Sequence, residues 1–118
     1  MYIHHIVLSV KNLERSTKFY GAFLGKPRIT KWDVSWKIGN TKLFLSLPNQ
    51  ENRRKFDKNN LGLNHLAFGL RNKSELKKFH LKLSKSKIKN SGMLVNKWSK
   101  KEYIFFDDPD GIRLEFFL

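Results

Sequence analysis

His5 and His65 occupy the same place in two stretches that read as copies of each other, H-I-V-L-S-V-K-N from His5 and H-L-A-F-G-L-R-N from His65. The match continues without a gap, with Lys11 on Arg71, Asn12 on Asn72, Lys18 on Lys78 and Phe19 on Phe79. Imidazole is the commonest metal ligand in proteins, and one per copy suggests a site built from two halves. In a strand, alternate residues share a face, so His5 sides with Val7 and Ser9, and His65 with Ala67 and Gly69. Those neighbours are mostly small and leave room for an ion and its ligand. The closing segment adds a third group, Glu115, between Leu114 and Phe116 on the opposite face. A carboxylate buried in such a strand is costly unless a cation compensates it.

Two His and one Glu with open positions suit a catalytic divalent ion: Fe(II), Mn(II), Ni(II) or Zn(II). With no thiolate available the set leans toward Mn(II) or Fe(II). The ion would act as a Lewis acid on a developing oxyanion, with Glu115 both ligand and catalytic group. The first copy lacks the matching carboxylate, because aligning Thr41-Lys42-Leu43-Phe44 with Ile112-Arg113-Leu114-Glu115 sets Phe44 opposite Glu115. Three protein ligands are therefore expected. Taken singly, each histidine would be an ordinary strand residue in routine hydrogen bonds; the repeat and Glu115 favour ligation. His4 is expected to face the other way, and His80 to be a helix-surface or semi-buried residue.

The elements that must carry these residues follow from spacing and punctuation. Residues 3–10 read as a strand. Asn12 caps a helix over 13–24, with apolar Leu13, Phe19, Tyr20, Phe23 and Leu24, a left-handed cap at Gly25 and a stop at Pro27. Strands are expected over 28–33, 34–38 and from Lys42 to Leu47. The second half repeats the order: a strand over 63–70 and a helix over 73–85, opened by Asn72 with Glu75 three residues on. A weak strand near Ile88 or Met93-Leu94-Val95 follows. A strand from Glu102 to Phe106, a turn at Asp107-Asp108-Pro109-Asp110-Gly111 and a last strand from Ile112 to Leu118 complete it. This is β-α-β-β-β twice: module one over about 1–48, a connection over 49–62 with a basic run Arg53-Arg54-Lys55, and module two over 63–118.

The chain of 118 residues is read as one α+β domain. Its ten Phe can fill a core. Lacking cysteine, it has no disulfide, thiolate metal site or Cys nucleophile. No stretch approaches the ~20 apolar residues of a membrane span, and a soluble cytoplasmic protein is expected. The net charge of +14 attracts anions and repels cationic ligands, although codon use in an AT-rich genome would also enrich Lys and Asn.

H5-I-V-L-S-V-K-N-L-E-R-S-T-K-F-Y20 with L24-G25, G62-L-N-H65-L-A-F-G-L, and Y103-I-F-F-D-D-P-D-G111-I-R-L-E115 together resemble the vicinal oxygen chelate superfamily. That superfamily includes glyoxalase I, bleomycin-resistance proteins, extradiol dioxygenases and fosfomycin-resistance enzymes. The resemblance implies metal ligation by His5, His65 and Glu115. It also implies two β-α-β-β-β modules forming a curved, partly open eight-stranded barrel-like cleft, completed in a homodimer. The nearest likeness is to the fosfomycin-resistance group, whose Arg-Trp-Asp stretch is similar to Lys31-Trp32-Asp33. Val7 stands where that group carries a threonine and Phe105 where it carries a tyrosine, which argues against fosfomycin itself. Phe44 argues likewise against glyoxalase I, and the net charge against sequestering cationic bleomycin.

Substrate contacts are expected from Val7, Trp32, Trp36, Phe44, Lys97 and Phe105. The two tryptophans could instead be core or dimer-contact residues. Asn96-Lys97-Trp98-Ser99-Lys100-Lys101 reads as a solvated charge run or as a lid over an anion. The expected function is a metal-dependent lyase, isomerase, transferase or dioxygenase acting on a small oxygen-chelating anion. The alternative is a non-catalytic small-molecule binding protein on the same fold. No RNA-stacking motif or recognition helix supports nucleic acid as a partner.

Overall fold

Asn12 ends one strand and begins one helix. Its side chain accepts a hydrogen bond from Arg15 N at 2.8 Å, satisfying a donor that the first turn leaves open. The computed structural model describes residues 1–49 and 54–118; the expected connection thus includes positions, Arg53 among them, outside the described residues. In module one, β1 (His5–Ser9) leads through Asn12 into α1 (Leu13–Leu24), followed by β2 (Arg28–Ile29), β3 (Val34–Ile38) and β4 (Thr41–Ser46). Helix α1 packs on β3 and β4. Its buried residues are Ser16, Tyr20 and Phe23; the sheet's buried residues are Leu8, Val34, Trp36, Leu43 and Leu45, all at 5% exposure or less, and Tyr20 packs on Trp36.

Module two repeats the plan with β5 (Leu66–Gly69), α2 (Lys73–Lys85), β6 (Leu94–Val95), β7 (Glu102–Asp107) and β8 (Arg113–Phe117). Asn72 Oδ1 accepts from Glu75 N at 2.9 Å, and Glu75 Oε2 accepts from Arg71 N at 2.8 Å. The residues are those the spacing marks, but Glu75 reaches one residue past the N-cap, to Arg71 N, where a capping box would engage Asn72 N. Leu76 and Leu83 of α2 are fully buried, as are Ile104 and Leu114.

The sheets run β1-β4-β3-β2 and β5-β8-β7-β6. In each, the outer first strand returns parallel beside the last, while the other pairs are antiparallel. The α+β reading and the repeated order hold. Among the described residues the eight strands form two four-stranded sheets and close into no barrel.

Strand ends depart from expectation for local reasons. β2 stops at Ile29 because Thr30 turns the chain. Thr30 Oγ1 accepts from Trp32 N and Asp33 N, and Thr30 N donates to Asp33 O at 2.9 Å. Gly25 has φ 85 but ψ −157, so it leaves the helix in an extended, glycine-only conformation rather than a left-handed turn.

Contacts divide the chain into two compact units, Met1–Arg54 and Lys55–Leu118. Residues 55–62 of the expected connection therefore go with module two. Phe56 N donates to Asp110 O at 2.9 Å, and a Cβ at Gly111 (φ 91) would lie 2.9 Å from Phe56 O. Only glycine fits there. The turn itself is held by Asp108, whose buried Oδ1 accepts from Asp110 N and Ile112 N. Among the described residues no helix is long and apolar enough to cross a membrane.

Candidate metal centre

One face of each sheet is covered by its helix, and the candidate site residues stand mostly on the other. In module two, β5 pairs with β8 so that Ala67 lies beside Glu115, and β7 sets Phe105 on Glu115's other side. Leu114 and Phe116 point to the helix side and are buried. Their burial fixes the rotation of β8 and turns Glu115 outward, at half-buried depth. His65 immediately precedes β5. Its Nε2 lies 3.7 Å from Glu115 Oε2, with side-chain exposures of 42% and 15%. Its Nδ1 lies 2.7 Å from Asn64 Oδ1. The small neighbours keep this face open: a Cβ added at Gly69 would meet nothing within 4 Å.

Arg113, on the same face, lies over the Phe105 ring at 4.3 Å and is ion-paired to Asp107. Its charge is thereby matched by Asp107, while the side chain facing Glu115 across 3.7 Å is His65. Asp107 is more than the turn residue the sequence suggested; it anchors this arginine.

In module one the register sets Val7 beside Phe44 and Phe44 beside Ser35. Val7 corresponds to Ala67, so Phe44 is the counterpart of Glu115, as the repeat alignment predicts. The His5 and Phe44 rings meet edge-on at 5.9 Å. His4 does not turn away from His5: their Nδ1 atoms are 2.8 Å apart. The strand begins at His5, so strict alternation does not reach back to His4.

The remaining expected contacts separate. Trp36 is in the core on the helix face, opposite to His5. Its Nε1 donates to Gly25 O at 2.8 Å and its ring lies 6.1 Å from Tyr20. Trp32 is 77% exposed at the β2–β3 turn, with Lys31 Nζ 4.9 Å from its ring. Lys97 stands at the β6–β7 turn with its Nζ 3.8 Å from the ring of Trp98. Asn96 tightens that turn by accepting from Trp98 N and Ser99 N, so the segment is a closed hairpin turn rather than a long lid. Equivalent hairpins of the two modules thus each present a stacked Lys-Trp pair, a repetition that the insertion before β7 conceals in the sequence. His80 is half-buried on α2.

The donor chemistry of module two fits a divalent cation. A neutral imidazole nitrogen and a carboxylate oxygen facing each other are both electron-rich, and a cation between them relieves the opposition. Two donors about 2.1 Å from one ion stand roughly 3.0–3.5 Å apart at tetrahedral or octahedral angles, so the observed 3.7 Å is a small side-chain adjustment away. Of the three expected ligands, His65 and Glu115 lie side by side, and His5 belongs to module one. Among the described residues no group of three or more His, Cys, Asp or Glu side chains is gathered closely enough to hold a metal.

Comparison with known proteins places these features in a lineage. A curated relative, the uncharacterized protein YqjT of Bacillus subtilis (strain 168), is 29% identical over 127 residues, covering 96% of this chain and 95% of its own. The crystal structure of a glyoxalase family protein from Enterococcus faecalis matches with a TM-score of 0.78 at 27% identity, over 99% of this chain and 97% of that one. A genomically encoded fosfomycin resistance protein from Listeria monocytogenes shares the fold, with a TM-score of 0.73 at 16% identity, over 99% and 92% of the two chains. The model of the Glyoxalase/Bleomycin resistance protein/Dioxygenase superfamily matches residues 2–116, and the chain belongs to that superfamily.

Proposed function

We propose that this protein is a metal-dependent enzyme whose His5, His65 and Glu115 hold one divalent ion, and that its substrate is a small anion that chelates through two oxygens. The observation that carries the reading is the facing pair of His65 Nε2 and Glu115 Oε2, two metal-capable atoms 3.7 Å apart on the face of the sheet away from its helix. The thiolate-free donor set favours manganese or iron, with zinc or nickel compatible. When bound, the ion supplies Lewis acidity toward a developing oxyanion.

The chain's own residues do the rest. His65 binds as the neutral imidazole. Glu115 contributes the set's one negative charge, which leaves a divalent site net positive and selective for anions. Phe105 forms an apolar wall beside Glu115, and Arg113 is pinned across that wall. Val7 and Phe44 are the module-one wall. Lys97 and Trp32, on the hairpin turns, are contacts for an anion arriving from solvent.

Metal analysis of protein purified without chelators is the direct test. Stoichiometric manganese or iron is expected, as is metal-dependent binding of small carboxylates or phosphonates that weakens with added salt. A protein that binds only cationic or neutral apolar compounds, indifferent to metal, would instead be a sequestering member of the superfamily.

The same reading includes a homodimer. β1 is an outer strand of its sheet, with Val7 in it 52% exposed and Tyr2 and Ile3 just before it 65% and 63% exposed. An open edge flanked by apolar side chains is a liability in water unless paired or covered. Light scattering should give twice the chain mass; a monomer at high concentration would refute this part.

A further inference from the structure

We propose that Asn64 is a positioning residue that selects which nitrogen of His65 is free to bind. Its use rests on the metal reading, but its content rests on module two alone. Asn64 Nδ2 lies 3.0 Å from the backbone carbonyl of Lys58. A carbonyl can only accept, so the amide must turn its NH2 group there. Its Oδ1 is then the atom 2.7 Å from His65 Nδ1. An amide oxygen also only accepts. In its neutral form, the one that binds metal, His65 therefore carries its proton on Nδ1, and Nε2 presents a lone pair toward Glu115 Oε2.

Free imidazole side chains in water favour the opposite tautomer, with the proton on Nε2. That form would put an N–H where a ligand lone pair is needed. The relay from Lys58 through Asn64 to His65 overrides this preference. Its far end is itself fixed: Asp57 Oδ1 accepts from Asn59 N at 2.9 Å, and Asn60 N donates to Asp57 O at 3.2 Å. The polar segment 57–60, which reads in sequence as mere connection, thus holds the acceptor that orients Asn64. Module one repeats the arrangement in part, since His4 occupies the position of Asn64 and engages His5 Nδ1 at 2.8 Å.

Nitrogen-15 NMR of histidine-labelled, metal-free protein reads the tautomer directly. The wild type should show His65 with its proton on Nδ1. Asn64→Leu should move the neutral ring largely to the Nε2-protonated form. Asn64→Asp, which gives up the bond to Lys58 O but keeps an oxygen acceptor at Nδ1, should retain the proton on Nδ1. Manganese(II) affinity, measured by chelator competition, should fall about 10–100-fold in Asn64→Leu and stay within a few-fold of wild type in Asn64→Asp. Asn64 is exposed, so equal thermal midpoints are expected. A wild-type ring protonated on Nε2, or an Asn64→Leu tautomer like the wild type, would overturn the proposal. If the tautomer shifts as expected while the wild type binds no manganese, the metal reading fails and the positioning role stands.

Discussion

Glu115→Gln is expected to abolish turnover and to lower divalent-metal affinity by more than the roughly 10–100-fold that substitution of an outer hydrogen-bonding partner costs. Glu115 is the one carboxylate in the proposed set. The amide that replaces it has nearly the same shape and no charge, so a net attraction to the cation becomes a weak dipolar contact. The fold should not suffer. The Glu115 side chain is only 15% exposed, and a neutral amide is cheaper to bury than a carboxylate lacking its cation. The new NH2 group can also donate to the His65 Nε2 lone pair. The metal-free variant should therefore melt at or above the wild-type midpoint while binding metal far more weakly. Calorimetric titration beside thermal melts tests both halves. Manganese affinity within a few-fold of wild type would remove Glu115 from the ligand set and with it the central support for a catalytic metal.

What was legible in the sequence was what local chemistry decides. Asn12 and Asn72 cap their helices as their spacing predicts, and α1 and α2 span the expected residues, because caps and helical stripes are short-range features. Glu115 stood out as a carboxylate among the apolar residues of the last strand, the repeat set Phe44 opposite it, and the pairings Val7 with Phe44 and Ala67 with Glu115 carry the same correspondence. Strand ends were less legible, since they depend on partners far along the chain. Thr30's turn cuts β2 to two residues, and β6 keeps only Leu94 and Val95. Trp36 was ambiguous between cleft and core until its register beside Leu43 put it on the helix side. Asn64 was missed because its role depends on where a backbone carbonyl six residues away is aimed, which no spacing rule encodes. The usable signal was its place before His65, matching His4 before His5.

Phe116→Ala is expected to destabilise the protein by about 3–5 kcal/mol, the usual cost of removing a buried aromatic ring and leaving its cavity. The ring is 1% exposed and meets those of Phe68 at 6.0 Å, Phe79 at 4.9 Å and Phe106 at 5.0 Å. It thus joins β5, α2 and β7 to β8, and collapse around the void would have to move all of them. Set against a typical total of about 5–15 kcal/mol, the loss is a large fraction of stability. Metal binding should weaken too, because Leu114 and Phe116 together hold the rotation of β8 that presents Glu115. Phe117→Ala is the control. That ring is half-buried on the opposite face, and its removal leaves the helix-side core intact, so its cost should be nearer ~1 kcal/mol. Urea denaturation of the two variants, each with and without manganese, separates core from site. If Phe116→Ala proves as mild as Phe117→Ala, the aromatic cluster is not what fixes β8, and the orientation of Glu115 must be held by the strand pairings alone.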